Sequence, residues 1–357
     1  MPGYKRRKNN KRSDPCLSII RQAFILFAAA VLLIRSGKAD ELEQAVTYAG
    51  ACFEYMLSQE SIQPSPEAEV KNEQDADGFQ SITESSTPVL SEPPPVKEQN
   101  ISPLTIEGDP GNYDGSGTVY VKNQTDYEID VPALLSASDP VRLSGDAVQV
   151  LVMHTHGTEA YAPTAENNYV PSDTDRTTDI SYNVVRVGRE ITEVLNSRGI
   201  KTIHSTTLND SPAYSGSYNR ALDDISAYIK ENPSIKMVID VHRDAMVTAS
   251  GLKYKTIADI NGQQAAQLML VCGTDGGGLT HDNWRQNLSF QLKLQDRLNT
   301  AYPGIMRPLD LRAARFNQHV TCGSMLVEVG TSGNTLEEAL ISARLFAESL
   351  ADMLLER

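Results

Sequence analysis

Residues 148–161 read VQVLVMHTHGTEAY. Val148 to Met153 is a run of strand length and largely apolar, and at its end the chain turns abruptly to His154, His156 and Glu159. A strand that is apolar at successive rather than alternate positions is buried on both faces, which places it inside a sheet with helices on either side. Downstream, Ile180, Val184, Val187, Ile191 and Val194 recur at helical spacing, with Thr178 as cap and Gly199 as stop. Ile200–His204 and Lys236–Val241 read as further strands, around a helix over Tyr218–Lys230. Lys253–Ile260 and Gln267–Gly273 read as paired strands across the turn residues Asn261-Gly262. A helix over residues 284–301 and a strand over Ser324–Val329 follow. Thr335 and Glu338 form a capping box for a last helix, striped by Leu336, Leu340, Ala343, Phe346, Leu350 and Met353. The fold class that follows is α/β, a mainly parallel or mixed sheet with helices on both faces.

His242, in IDVHRDA, ends one of these strands as His154 and His156 end the first. Ligands bind at the carboxyl ends of strands in open α/β sheets, and neutral imidazoles held on two rigid strands suit Zn2+. One more donor would complete the protein's share, with Glu159, His154 and Asp179 as the candidates. A third strand end carries Glu328 within LVEVGTSGNT, residues 326–335. Embedding in an apolar strand raises a carboxyl's pKa, which suits Glu328 to take a proton from water and return it to a leaving amine. Each residue alone has a plainer explanation. A strand-end histidine commonly hydrogen-bonds its own loop, and a buried Glu328 could pair with Arg243, Arg312 or Arg315; the joint placement favours a metal site. His204, His281 and His319 read as surface or supporting residues. Gly276-Gly277-Gly278 lacks the lysine of a phosphate loop, and no G-x-S-x-G is present. Of the cysteines at 16, 52, 272 and 322, only Cys272 and Cys322 fall in one folded domain, and they read as buried small hydrophobes rather than a disulfide.

Residues 1–35 carry eight Lys/Arg against one Asp, leaving −21 on the remainder of a chain whose formal net charge is −14. So acidic a body excludes nucleic acid as a partner. The basic cluster from Lys5 to Arg12 precedes an apolar stretch, unbroken over Ala23–Ile34 and extendable back to Leu17. That is the layout of a signal or a membrane anchor over residues about 17–36, with everything after it outside the cytoplasm. Residues 61–110 hold eight prolines and ten acidic residues against two basic ones. That composition is too poor in apolar surface to fold and reads as a disordered tether. The expected division is a basic segment with anchor or signal over 1–39, a short helix and acidic proline-rich linker over 40–116, and a catalytic domain over 117–357.

Together HTHGTEAY, DVHRDA and LVEVGTSGNT resemble the stage II sporulation protein P family, relatives of the zinc-dependent N-acetylmuramoyl-L-alanine amidases, over roughly residues 117–357. The resemblance implies an amidase-like fold and a peptidoglycan hydrolase that releases stem peptides from glycan and cuts cross-links during engulfment. It implies a place in the septal space between mother cell and forespore. Sporulation protein D, a lytic transglycosylase, and sporulation protein M, a membrane scaffold, would be its partners. By motif, His156 and His242 match zinc ligands and Glu328 the acid/base. Glu159 belongs to the family's first motif and is the expected third ligand. The amidase glutamate that opens the first large helix corresponds by position to Asp179, and His154 stands beside the ligands. Arg243 and Asp244 would support the ligands or touch substrate. Two rival readings are a catalytically idle wall-binding or scaffold member of the same fold, and a different zinc hydrolase of the wall, a carboxypeptidase or deacetylase.

Overall fold

The computed structural model describes residues 94–96, 98–143 and 145–356. The expected anchor, the helix expected near residue 50 and most of the tether lie outside them. Among the described residues no helix is long and apolar enough to cross a membrane.

The first half of the domain holds β1 (Ile101–Leu104), β2 (Asp114–Ser116), β3 (Val119–Asn123), α1 (Val131–Ser136), β4 (Val150–Met153), α2 (Val184–Ser197), β5 (Thr202–His204), α3 (Ser217–Glu231) and β6 (Met237–Asp244). The second half holds β7 (Lys253–Ile260), β8 (Gln263–Ala266), β9 (Leu268–Gly273), α4 (Trp284–Ala301), β10 (Leu309–Arg312), β11 (Met325–Thr331) and α5 (Leu336–Leu355). Eight strands form one sheet in the order β2-β3-β10-β9-β11-β6-β4-β5, and β1-β7-β8 form a smaller one. β5, β4, β6 and β11 run parallel, and β9 is antiparallel to β11, so the sheet is mixed.

Strand alternation divides the core. Val150, Val152, Met237, Ile239, Val241, Met325, Val327 and Val329 join the large apolar cluster that includes residues of α2, α4 and α5. Leu151, Met153 and Val238 point the other way, to Ala221 and Ile225 of α3. Leu326, Met269 and Val271 make a third small cluster, with Phe316 packed against it. Both faces of the central strands are therefore buried, which is why their sequences are apolar at successive positions.

Several elements differ from the sequence reading. α2 begins at Val184 under Asn183, whose side chain accepts from Val185 N, five residues later than a Thr178 cap predicts. Lys253–Ile260 pairs not with Gln267–Gly273 but with the short β8, across Asn261 and Gly262, both at positive φ as a tight hairpin turn demands. β9 instead joins the main sheet. β1 and β2 lie in the stretch read as linker, and β1 pairs in parallel with β7. An edge strand needs only backbone partners, so a polar composition and Pro103 do not prevent it. Cys272 is buried but Cys322 is partly exposed, and both are free.

Candidate catalytic site

Because β4, β6 and β11 are parallel, their carboxyl ends meet at one edge, and the three motifs meet with them. His156 follows β4 and is 5% exposed; His242 lies on β6 and is 3% exposed. Their ring centroids are 5.2 Å apart with planes nearly perpendicular. The loop after β4 returns Glu159 to the same place, with Oε2 3.5 Å from His242 Nδ1. Arg243 N donates to that oxygen at 3.2 Å. Glu328 on β11 is in register with His242, so its side chain leaves the same face of the sheet.

The electrostatics follow from burial and from these neighbours. Burial pushes the His156 imidazole down to about 4, so the ring is neutral at ordinary pH with a lone pair free. Burial would raise Glu159, but Arg243 and the two imidazoles overcome it and hold the carboxylate well below its usual range. His242 goes the other way: burial opposes its charge, yet Asp240 and Glu159 together raise it well above a free histidine. Carboxylate oxygens stand at both of its ring nitrogens, Asp240 Oδ1 at 3.0 Å from Nε2 and Glu159 at Nδ1, an arrangement that calls for positive charge between them. Burial pushes the Glu328 carboxyl up to about 8, with Asp244 and Glu159 adding to the rise while His242 and Arg307 oppose it. Among the described residues, Glu328 Oε2 is buried without a hydrogen-bond partner, as is His156 Nδ1.

A model of the family described as Stage II sporulation protein P (SpoIIP) matches residues 35–351. The chain belongs to that family. The stage II sporulation protein P of Bacillus subtilis (strain 168) is 28% identical over 225 residues, 60% of this chain and 53% of that protein. The match thus spans about half the length of that relative. Among solved structures, the N-acetylmuramyl-L-alanine amidase Ami1 of Mycobacterium smegmatis is 15% identical with a TM-score of 0.36, over 60% of this chain and 100% of the other. The N-acetylmuramoyl-L-alanine amidase AmiC2 of Nostoc punctiforme is 14% identical with a TM-score of 0.34, over 60% and 97%.

In this SpoIIP family member His156, His242, Glu159 and Glu328 gather at one edge, and the other residues singled out in the sequence have different roles. His154 lies one layer deeper: its Nδ1 donates to Val241 O at 3.0 Å, so its Nε2 is the lone pair that accepts from His204 Nε2 at 2.9 Å. Both ring nitrogens of His154 are thus engaged within the fold. Asp179 is exposed in a turn, accepting from Ser181 N at 3.0 Å. Arg243 clamps loop carbonyls, donating to Ala160 O and Asp175 O, both at 2.9 Å. Asp244 accepts from Arg307 Nη1 at 2.8 Å. His281, read as surface or supporting, is wholly buried. Among the described residues no arginine stands within ion-pair distance of Glu328, so the plainer reading of that residue is not what the fold provides.

Sequence reading missed four contributors. Asp240 accepts from Thr155 N at 2.8 Å and Thr155 Oγ1 at 2.6 Å, and its Oδ1 stands 3.0 Å from His242 Nε2. The spacing could have found it, since residues i and i+2 on a strand share a face. Tyr214, 60% exposed, stacks on His156 at 4.4 Å, and Tyr218 meets the same ring edge-on. Arg176 lies 3.6 Å from Glu159, is held by Asp210 at 2.5 Å, and sits over the Tyr214 ring. No pattern marked these three, because two separate loops and the first turn of α3 bring them in.

Proposed function

We propose that the chain is a zinc-dependent N-acetylmuramoyl-L-alanine amidase of the cell wall, with cleavage of peptide cross-links as a second activity. The observation that carries the proposal is the meeting of His156, His242 and Glu159 with the unpartnered carboxyl of Glu328 at one edge of the sheet. The donor set fits zinc in its chemistry: two imidazoles and a carboxylate, with a free lone pair on His156 and with His242, held charged between Asp240 and Glu159, giving up its proton when an ion binds. The side chains are not fully convergent, since among the described residues no group of three or more His, Cys, Asp or Glu stands ready to hold a metal ion. That observation keeps alive a second reading, a wall-binding member of the fold that does no chemistry.

His156, His242 and Glu159 would hold the ion. When bound, zinc supplies a Lewis acid for the amide carbonyl and acidifies water. Glu328 takes a proton from the attacking water and delivers it to the departing amine as the carbon–nitrogen bond breaks, and a carboxyl poised near neutrality serves both steps. Arg176 and Arg243 hold Glu159 ionised, and Asp240 keeps His242 facing the site. The proposal extends to anchoring through residues about 17–36, to action in the septal space on peptidoglycan, and to partnership with sporulation proteins D and M.

The test uses the full chain: metal content by elemental analysis and digestion of purified peptidoglycan, for wild type and Glu328→Ala. One zinc per chain, with muropeptide products lost by at least about a hundredfold in the variant while zinc stays, is the expected result. No metal and no products, even with zinc and the partner transglycosylase added, would leave the wall-binding reading.

A further inference from the structure

We propose that Tyr218, in the first turn of α3, is a catalytic residue whose phenol donates a hydrogen bond to the carbonyl oxygen of the scissile amide as water adds to the carbonyl carbon. The inference rests on the amidase reading and adds to it the group that meets the charge developing on the substrate.

Two periodicities bring Tyr218 to the site. β5 and β6 both pair in parallel with β4, so α3, which lies between them in the chain, starts at the carboxyl edge of the sheet. Ala221 and Ile225 of α3 pack on Leu151, Met153 and Val238. Tyr218 precedes them by three and seven residues and shares their stripe of the helix. On β6, Asp240 and His242 follow Val238 on the same face, and Glu328 stands opposite His242 on β11. Tyr218 therefore lies one helical turn nearer the edge than Ala221, over the face from which Asp240, His242 and Glu328 rise.

Its contacts agree with that placement. The ring meets His156 edge-on, with centroids 5.6 Å apart, and lies 5.9 Å from the ring of Phe316. Asn317 Nδ2 donates to Tyr218 O at 2.7 Å, which ties the first turn of α3 to the loop after β10. The ring is thus held on two sides, while its hydroxyl has no hydrogen-bond partner among the described residues and keeps contact with solvent. Two other tyrosines near the motif spend theirs on backbone: Tyr161 donates to Val329 O at 3.0 Å and Tyr169 to Tyr161 O at 2.8 Å. Burial raises the Tyr218 phenol well above its usual range, and Asp240, Tyr214, Glu328 and Glu159 add to the rise, so the group stays an O–H donor. Those same carboxylates put the hydroxyl within electrostatic reach of the proposed acid/base and of one proposed ligand.

As the water oxygen bonds to the carbonyl carbon, an electron pair of the carbon–oxygen double bond moves onto the oxygen, which becomes negative. A phenol donates a stronger hydrogen bond to that charged oxygen than to the neutral carbonyl it replaces, so the contact lowers the barrier instead of merely tightening binding. No proton leaves Tyr218. Glu328 carries the proton from water to the departing amine, and the electron pair returns from the oxygen as the carbon–nitrogen bond breaks. The arginines at this edge are engaged elsewhere: Arg176 donates to Thr158 and Asp210, Arg243 to the carbonyls of Ala160 and Asp175, and Arg307 to Asp244. The Tyr218 hydroxyl is uncommitted.

The experiment compares the full chain as wild type and Tyr218→Phe in four measurements: zinc content, thermal melt, hydrolysis of a muramyl tetrapeptide, and calorimetric binding of a phosphinate. The phosphinate replaces the scissile carbonyl by a tetrahedral, negatively charged group. Tyr218→Phe removes a hydroxyl that has no protein partner, so zinc content and melt are expected to match wild type. kcat is expected to fall about 100-fold with KM changed by no more than about twofold, and the phosphinate to bind about 10- to 100-fold more weakly. A packing role alone would leave the phosphinate affinity where it was. Equal kcat, or equal phosphinate affinity, in the two proteins overturns the proposal. A melt lowered by more than about 5 °C, or a variant that does not fold, also overturns it, because the hydroxyl would then be holding the fold together. A wild type that binds no zinc and hydrolyses nothing brings down the amidase reading and this role with it, whereas an active wild type beside an equally active Tyr218→Phe removes only the role of Tyr218.

Discussion

Asp240 makes the clearest prediction at the residue scale. Both of its oxygens are engaged by Thr155, and Oδ1 also stands 3.0 Å from His242 Nε2, so its charge lies beside one nitrogen of that ring while Glu159 lies beside the other. Asp240→Asn keeps the shape and removes the charge. Zinc affinity is expected to fall about 10- to 100-fold with the circular dichroism spectrum unchanged, measured by competition with a chromogenic chelator. An unchanged affinity would mean that Asp240 orients nothing. The three motifs were legible because strand-end residues fall at one edge wherever strands are parallel. Whether Glu159 or Asp179 stands with the histidines was not legible, because both lie on the long connection between β4 and α2, and local patterning does not say how such a segment returns. Contacts from distant positions decide it: Ala160 N donates to Asp175 O and Thr177 N to Thr158 O, both at 2.9 Å.

Gly188 ties a helix to the site at the element scale. A Cβ there would lie 2.6 Å from ring atoms of His154 and 2.8 Å from His204, so α2 can approach the strands only without one. Gly188→Ala would ordinarily favour a helix by up to about 1 kcal/mol. Here the clash with two packed rings outweighs that, and a net destabilisation of about 1–3 kcal/mol is expected from urea unfolding. A stabilised variant would show that the His154–His204 pair gives way easily. Elements with strong period or strong turn chemistry were legible: β4, β6, β11, the Asn261-Gly262 turn and the Thr335 capping box. β10 was not, since LDLR is four residues of mixed polarity whose identity comes from lying between β3 and β9. The 61–110 composition likewise concealed β1.

At the scale of the whole molecule, the buried neutral histidines make stability depend on acid. Burial pushes His204 down to about 3 and His154 down to about 4, while in the unfolded chain each returns to an ordinary value near 6.5. Below about pH 6.5 the unfolded state takes up protons that the native pair does not, so their contribution is present above that pH and is lost as pH falls toward about 4. The urea midpoint is expected to drop between pH 7.5 and pH 5, and to drop less in His204→Gln; equal slopes would remove the pair from the account. By itself the sequence determined the fold class and which strand ends carry chemistry, because burial on both faces imposes continuous apolar strands and parallel strands share a carboxyl edge. Tertiary structure alone decided strand order, the pairing of β1 and β8 with β7, and the loop residues Tyr214, Arg176 and Glu159 around the histidines. Those depend on long-range packing of segments that carry no periodic signal of their own.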